Sequence, residues 1–461
     1  MNVTFSCWFR KPTQTVLRVL LPLLLALSAR AQTNGTASLP AEITRPLTLA
    51  DALNTALQKN AGILKAHNDL EATYGLVVQT RAIAFPKITA VGSYTYTDPS
   101  AIENFGTFPQ PNQSWNAGLK IVQSIYEGGR VGVAIRAARL TKEQALLQYQ
   151  SVVSDALLAT RIAYYDVLLG AQQIVVNEAS VNLLTKELED QRRRYDAGTV
   201  PRFNVLRAEV AAANARPNLI RARNQHRIAK NNLANLLGYD LPRDVWEDLP
   251  LNLVDPLAAE PYQVDLPAAI AQALEKRTEL GALRKFELLQ EENIKNARSG
   301  YQPTLQAFAG YGWRNVQFTT PVVLDHAIDG WNAGAQLNWD IFDGLLTKGK
   351  VMQAKAQRDK ARTDLQDASR QVELQVRTAY SSFVEAKEVL ESQQKVQEEA
   401  EEALRLARAR ADAGTGTQLD VLDAETSLTQ SRTTQIVALH DYSVARARLE
   451  RAIGQDIKME K

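Results

Sequence analysis

The chain repeats itself at a fixed spacing of 216 residues, and this duplication restricts its possible folds more than any other feature. Residues 412–425 read DAGTGTQLDVLDAE and residues 196–209 read DAGTVPRFNVLRAE, so eight of the fourteen positions are identical. The segment WNAG at 115–118 returns at 331–334. Because matching segments lie far apart at one spacing, we predict two copies of a single structural unit. The predicted organisation is repeat 1 at 48–238, a linker at 239–265, repeat 2 at 266–454 and a C-terminal tail at 455–461.

The first 31 residues have the organisation of a secretory signal. Arg10 and Arg18 supply positive charge, residues 19–27 are apolar apart from Pro22, and Ala-Arg-Ala at 29–31 is a small-x-small cleavage site. The alternative is an uncleaved membrane anchor, but the apolar run is too short to span a bilayer. We therefore predict a signal peptide at 1–31, followed by a flexible leader at 32–47 rich in Thr, Asn, Gly, Ser and Pro.

Composition and motifs exclude several classes of function. Lys plus Arg number 53 and Asp plus Glu 51, so no basic field favours nucleic acid. Cys7 is the only cysteine and precedes the apolar core of the signal, so no disulfide, thiolate metal site or lipid anchor is expected. No nucleophile elbow, phosphate loop or dinucleotide motif is present. We predict no catalytic residue, no metal, no cofactor and no enzyme activity, and surface or packing roles for the four histidines, His67, His226, His326 and His440.

Each copy contains two segments in which apolar and polar residues alternate, with Tyr and Trp near the ends. They are expected as strands at about 87–97 and 114–124 in the first copy, and about 304–313 and 331–341 in the second. Strands of about ten residues with this alternation are typical of outer-membrane barrels. The alternative is a pair of soluble hairpins packed on helices. Two copies behind a secretory signal favour membrane strands.

Long helical segments follow the strands in both copies. Residues 350–413 contain neither Pro nor Gly, which allows a rod of about 95 Å. Small, sparse apolar positions and many charges suit a helix packed along other helices with one face in water. We predict long helices at about 132–196 and 349–413, each ending at an Ala-Gly-Thr turn. Shorter return helices are predicted at 201–237 and 417–453.

Asp420 and Asp423 are the one pair of charged residues that suggests a site. They lie three apart at the start of a return helix, so both share a face and gain from the positive helix terminus. Capping alone would explain them. Four strands cannot close a barrel, for which about eight are needed, and open sheet edges are excluded from lipid. A ring of several copies would bring these carboxylates towards a common axis.

Taken together, the signal, the duplicated helix–hairpin–long helix–helix unit, the IFDG strand exit at 341–344 and the turn at 413–424 resemble the TolC family of outer-membrane efflux channels. The resemblance covers the whole mature chain. It implies a mainly α fold with a small transmembrane β part. It further implies a homotrimer with a 12-stranded barrel in outer-membrane lipid and an α-helical barrel in the periplasm. Family members are passive exit ducts that work with a periplasmic adaptor and an inner-membrane transporter of an efflux or type I secretion system.

The resemblance also implies positions for two functional regions. A ring of aspartates at the periplasmic mouth corresponds to Asp420 and Asp423, with Asn204 at the matching position of the first copy. The adaptor-contacting tips correspond to Gly198, Thr199 and Val200 in the first copy and to Gly414 and Thr415 in the second.

The chain departs from the family's best-known member where that member closes its mouth. The latch arginine is replaced by Gly416 and the latch tyrosine by Ala411, so Arg408 and Arg410 are the candidates for that role. The remaining alternative for the whole protein is a secreted periplasmic coiled-coil adaptor or scaffold without a pore.

Overall fold

The computed structural model describes residues 45–102, 112–239, 249–317 and 327–455. The predicted signal peptide, most of the predicted leader and the tail beyond Gln455 lie outside the described residues. The last leader residues, expected to be flexible, instead form strand β1 (Pro46–Leu47), which pairs in parallel with β4 (Asn252–Leu253) from the linker. Leu47 is buried in the core, and the Tyr164 hydroxyl donates to its carbonyl at 3.0 Å. This pairing explains why the end of the leader is ordered.

Both copies fold in the same order of elements. The first copy forms α1 (Leu49–Lys59), α2 (Ala61–Arg81), β2 (Lys87–Tyr96), β3 (Gln113–Glu127), α3 (Arg130–Asp196) and α4 (Arg202–Leu236). The second copy forms α5 (Leu266–Lys276), α6 (Thr278–Arg298), β5 (Thr304–Gln317), β6 (Ala327–Asn338), α7 (Leu346–Asp412) and α8 (Gln418–Ile453). The long helices α3 and α7 have 67 residues each, which corresponds to about 100 Å.

The sequence pattern is helical from Thr48 to about Ile83, but the structure divides this segment into two helices, α1 and α2. Thr48 is the N-cap of α1, because its hydroxyl accepts a hydrogen bond from the backbone N–H of Asp51. The helix nevertheless stops at Asn60, which has an extended backbone. The Asn60 side chain accepts from the N–H groups of Gly62 and Ile63 and so starts a second helix. Asn is favoured at such caps, and this signal was available in the sequence.

The bounds of strand β6 also differ from the expected 331–341. The strand begins at Ala327, where it pairs with Asn315, and ends at Asn338, opposite Thr304. Pairing stops there because the partner strand is preceded by Pro303, which has no N–H to donate. Helix α7 begins at Leu346, three residues before the expected start, because the Asp343 carboxylate accepts from the Thr347 N–H at 2.7 Å.

The four long strands form one antiparallel sheet in the order β2-β3-β5-β6. The central pair joins the two copies, with Gln113 opposite Gln317 at one end and Glu127 opposite Thr304 at the other. A bulge lies between Ser124 and Tyr126. Within the described residues, the outer edges of β2 and β6 have no strand partner.

The sheet does not pack on the helices, in contrast to the soluble-hairpin alternative. Every residue of β2 and β6 is exposed, including Ile88, and Trp331 is 79% exposed. Exposed apolar surface of this kind on both outer strands of the sheet marks a surface that contacts a membrane or a protein partner. Among the described residues, no helix combines the length and hydropathy needed to cross a bilayer.

The helices form a layer whose order changes along its length. Near the strands the neighbours are α2-α3-α6-α7, and near the helical turns they are α4-α3-α8-α7. The short helices α1 and α5 pack across this layer where α2 and α6 give way to α4 and α8. Each copy has a core at this level, built around Val167 and Leu233 in the first and their counterparts Phe383 and Leu449 in the second.

A ladder of polar contacts holds α3 of the first copy against α8 of the second. The contacts run antiparallel along the two helices, so this seam within one chain, between its two repeats, is largely electrostatic and hydrogen-bonded. From the core to the turns they are Asp155–Arg451, Arg161–Glu450, Asp166–His440, Ser180–Thr429 and Gln191–Gln418, with atoms 2.5–3.3 Å apart.

His440 on this ladder should make the stability of the protein pH-dependent. Burial of the ring acts to lower the pKa of His440, but hydrogen bonds to Asp166 and Asp441 outweigh it, and the pKa is raised. The stabilisation is complete below the unfolded pKa of 6.5 and is lost as pH rises through the folded pKa. Thermal unfolding followed by circular dichroism should therefore show a decline over this range that His440→Gln removes. The exposed His67→Gln variant is the control and should retain the decline.

Two equivalent glycines after the return helices provide a second test of the packing. Gly238 and Gly454 both have φ near +70°, so alanine at either position strains the backbone by about 1 kcal/mol. A Cβ on Gly238 would also lie 2.3 Å from the carbonyl oxygen of Lys59, whereas one on Gly454 meets nothing closer than 3.4 Å. We expect Gly238→Ala to lower the free energy of unfolding by about 2–4 kcal/mol and Gly454→Ala by about 1 kcal/mol. Equal losses would contradict the described contact between Lys59 and Gly238.

Candidate functional site

The two long helices end in turns of the same construction. Gly198 and Gly414 have φ of 73° and 74°, a left-handed conformation that glycine adopts without strain. The next residue, Thr199 or Thr415, donates its N–H at 2.9 Å to the carbonyl of Arg194 or Arg410 respectively. Both Gly-Thr pairs are exposed at the ends of the helical layer, and Val200 is half-buried. The predicted adaptor-contacting residues therefore occupy the tips, where a partner can reach the backbone of both turns.

An ion pair joins the two turns of one chain. The Arg194 guanidinium lies 3.0 Å from the carboxylate of Asp412 and 2.6 Å from that of Asp190. All three side chains are substantially exposed or half-buried, so salt will screen this contact.

Asp420 and Asp423 lie in the first two turns of α8, as expected. Asp420 forms a reciprocal capping box with Thr417, because each side chain accepts from the other residue's N–H at 3.2 and 2.9 Å. The backbone N–H of Thr417, its hydroxyl and the nearby charge of Arg410 hold the pKa of Asp420 below its usual value. Asp420 is thus exposed and ionised while it caps the helix. Within the described residues the carboxylate of Asp423 makes no hydrogen bond or ion pair, and its side chain is exposed to solvent.

Asn204, the counterpart of Asp420, is placed by a different start of its helix. Helix α4 follows Pro201, which makes no side-chain cap, and the Asn204 N–H donates to the Pro201 carbonyl at 3.0 Å. The structure therefore puts three predicted constriction residues at the tips of one chain, but in two local environments. Only the second copy carries the carboxylates.

Gly416, which stands at the position of the family's latch arginine, lies close to the end of α7. A Cβ on Gly416 would lie 3.0 Å from the backbone nitrogen of Ala411 and from the Cβ of Arg410. A side chain at 416 would therefore require the turn or the end of α7 to shift by about a few tenths of an ångström. Arg408 does not take the role of the latch arginine, because its guanidinium binds Glu425 on α8 at 2.9 Å.

Glu425 belongs to a buried polar cluster that joins three helices. Its side chain is 2% exposed, and one carboxylate oxygen is buried without a hydrogen-bond partner. Burial raises the pKa of Glu425, Arg408 partly offsets that rise, and the charge of Glu187 on α3 adds to it. Beside it, the Gln418 amide donates to Glu187 at 2.5 Å, and the buried Gln191 amide donates to both Glu187 and Gln418. This cluster binds the start of α8 to α3 on one side and to α7 on the other.

The same ion pair exists in the first copy, but there it is open to solvent. Arg192 and Glu209 are the counterparts of Arg408 and Glu425, lie 3.3 Å apart and are each more than half exposed. Sequence analysis missed this pairing, although both residues repeat at the spacing of 216. Within the described ranges, no group of three His, Cys, Asp or Glu side chains could hold a metal ion.

The two equivalent ion pairs should respond differently to loss of their arginines. Arg408→Met leaves a buried carboxylate without its partner, so we expect it to lower the free energy of unfolding by about 2–3 kcal/mol at neutral pH. Arg192→Met removes an exposed pair and should cost less than about 0.5 kcal/mol. Chemical denaturation in detergent, followed by circular dichroism, measures both. A loss for Arg192→Met as large as that for Arg408→Met would contradict the difference in burial.

Comparison with known proteins agrees with this architecture. The family model described as "Outer membrane efflux protein" matches residues 52–239 and 269–455, one segment in each copy. The chain is 24% identical to the outer membrane protein TolC of Escherichia coli K12, over 95% of this chain and 87% of that protein. It is 25% identical to the cobalt-zinc-cadmium resistance protein CzcC of Cupriavidus metallidurans, over 95% of this chain and all of that protein.

Solved structures show the same fold. The outer membrane protein VceC of Vibrio cholerae superposes with a TM-score of 0.75 at 20% identity, covering 88% of this chain and 96% of that one. The open state of the MtrE outer membrane channel of Neisseria gonorrhoeae superposes with a TM-score of 0.73 at 20% identity, covering 89% and 90%. The family model covers well over half of the chain, and relatives match it almost end to end. The protein therefore belongs to the outer membrane efflux protein family, and it is an export duct of the outer membrane whose helical body lies in the periplasm.

Proposed function

We propose that three copies of the chain build one continuous duct, with a 12-stranded barrel in the outer membrane and a tube of helices in the periplasm. The observation that carries this proposal is the sheet, which in the described ranges has four strands and two unpaired edges, β2 and β6. Four strands are too few to enclose a space, since about eight are the minimum. Pairing β6 of one copy with β2 of the next removes every open edge from lipid.

Exposed apolar residues at both edges of the helical layer support the same assembly. Val78 on α2 and Phe203 and Ile220 on α4 are 65–69% exposed at one edge. Met352 on α7 is 70% exposed at the other edge. Exposed apolar side chains that group along one edge mark a surface that a partner covers. Joining the α2/α4 edge of one copy to the α7 edge of the next buries both.

We further propose that the tips form the periplasmic mouth of the duct. Asp420 and Asp423 from three copies, with Asn204 between them, would surround the opening and favour cations. The exposed turns at Gly198, Thr199, Val200, Gly414 and Thr415 would contact a periplasmic adaptor that connects the duct to an inner-membrane transporter. The names of two relatives refer to alkaline protease secretion and to cobalt-zinc-cadmium resistance, so ducts with this architecture serve different cargoes.

Ion selectivity of the purified protein in a planar bilayer tests the mouth. Wild-type protein should pass cations in preference to anions and should be blocked by millimolar divalent cations added on one side. Asp420→Asn combined with Asp423→Asn should weaken both the preference and the block, because the mouth loses its negative charge. Asp364→Asn is the control, since Asp364 is exposed on α7 about 70 Å along the helix from the turn.

Two outcomes would contradict parts of this proposal. Unchanged selectivity in the double variant would reduce Asp420 and Asp423 to helix-capping residues and leave the duct intact. A protein that is monomeric, extracts without detergent and never conducts would contradict the trimeric duct itself.

A further inference from the structure

Equivalent residues of the two copies differ in burial at the start of the return helices. Leu422 on α8 is 7% exposed, whereas its counterpart Leu206 on α4 is 48% exposed. Glu425 is buried, and its counterpart Glu209 is more than half exposed. The cause is a neighbour, because α3 lies over this face of α8 and no described helix lies over the same face of α4. The exposed face of α4 therefore marks the position of a missing helix.

The duplication identifies that helix. Helix α3 lies on α8, and the counterparts of these two helices are α7 and α4. The helix expected on α4 is therefore α7, and it must come from a second copy of the chain. We propose that the wall of the duct alternates between two unequal seams, α3–α8 within one chain and α7–α4 between neighbouring copies of the chain. The mouth widens at the seams between copies, while the seams within each chain stay closed. This inference rests on the proposed assembly of several copies.

The ladder that holds the seam within a chain cannot form between copies. The charged contacts Asp155–Arg451, Arg161–Glu450 and Asp166–His440 each lose at least one charged partner at the equivalent positions. Their counterparts, at the spacing of 216, are Gln371 with Asn235, Arg377 with Ala234, and Ser382 with Asn224. No charged contact of the core half of the ladder is therefore reproduced between copies.

The same difference holds at the tips, where the mouth would open. Glu187 and Gln191 correspond to Ala403 and Ala407, and their partner Gln418 corresponds to Arg202. Two alanines cannot replace the amide and carboxylate groups that join α3 to α8. One contact can be kept, since Arg410 and Asp196 are the counterparts of the Arg194–Asp412 pair. Both are exposed, so this pair is weak and screened by salt.

Crosslinking tests which seam moves, because the only cysteine, Cys7, lies in the predicted signal peptide. A pair of cysteines at Gln191 and Gln418 links the seam within a chain, and a pair at Arg202 and Ala407 links the seam between copies. A short, reducible thiol crosslinker should convert the second variant to covalent oligomers on a denaturing gel and leave the first at monomer mass. The corresponding single-cysteine variants are the controls. Failure of the second pair to link copies would overturn the docking of α7 on α4.

Conductance of the crosslinked proteins then distinguishes the seams. The link between copies should prevent the mouth from widening and so lower the conductance below that of the unlinked protein, and reductant should restore the conductance. The link within a chain should leave conductance at the level of the unlinked protein. Loss of conductance on linking within the chain would overturn the inference. If the unlinked protein never conducts, the proposed function fails, whereas the gel still decides the docking.

Transferring the cluster to the other seam provides a test that needs no conductance. Ala403→Glu, Ala407→Gln and Arg202→Gln together copy Glu187, Gln191 and Gln418 into the seam between copies. We expect the oligomer to withstand a higher temperature before it dissociates in detergent, and the matched variant Ala403→Gln with Ala407→Leu to gain less. An oligomer no more heat-resistant than wild type would show that this cluster does not determine seam strength and would overturn the inference.

Discussion

The outer edges of β2 and β6 leave backbone hydrogen-bonding groups unpaired among the described residues, and this is the constraint on which the architecture depends. In the outer membrane these groups have no water to bind, so the edges must meet other strands. A four-stranded sheet cannot close on itself, and within the part of the chain that the structure describes its exposed apolar faces pack against no helix. The four strands described for one chain are therefore the basis on which we propose assembly of several copies. In the proposed assembly, the helical layer, which is attached to the same strands, would continue the ring of strands as a tube.

The duplication explains how one chain supplies two kinds of environment from similar sequence. The core residues Val167 and Leu233 of the first copy and Phe383 and Leu449 of the second occupy matching positions and are all buried. The pairs Arg192–Glu209 and Arg408–Glu425 also match in sequence, yet only the second is buried. What differs is the neighbouring helix rather than the pair itself. Whether equivalent side chains of the two repeats are buried therefore depends on which helix lies beside each of them.

Periodicity predicted the type of each long element because that signal is local. Alternation of apolar residues indicated the strands, and long runs without Pro or Gly indicated the rods. The ends of elements were less accurate where they depend on a partner. Strand β6 ends opposite Thr304, the first residue of β5, because Pro303 precedes Thr304 in the chain. The sequence of β6 itself does not indicate this end point. The break at Asn60 was readable from a capping residue in its own segment and was overlooked.

The candidate site shows where sequence reasoning reaches its limit. Asp420 and Asp423 could be predicted as a candidate site because they lie close together in the chain. The cluster around Glu425 brings together residues of α3, α7 and α8, and Glu187 is more than 200 positions away from Gln418. His440 was expected to have a surface or packing role, yet Asp166 lies against it from α3. Contacts between distant helices require the helix order, and that order followed only from the structure.

Fusion of two units into one chain has a consequence for the symmetry of the duct. A ring of six identical, separate units would have six identical seams, and any substitution would stiffen or loosen all of them together. In the proposed trimer the fused copies can diverge, as Gln191 and Ala407 have done at matching positions. Three seams can then be rigid while the three between them are compliant. Gene duplication would thus have given natural selection independent control over the strength of the wall and over how readily it opens.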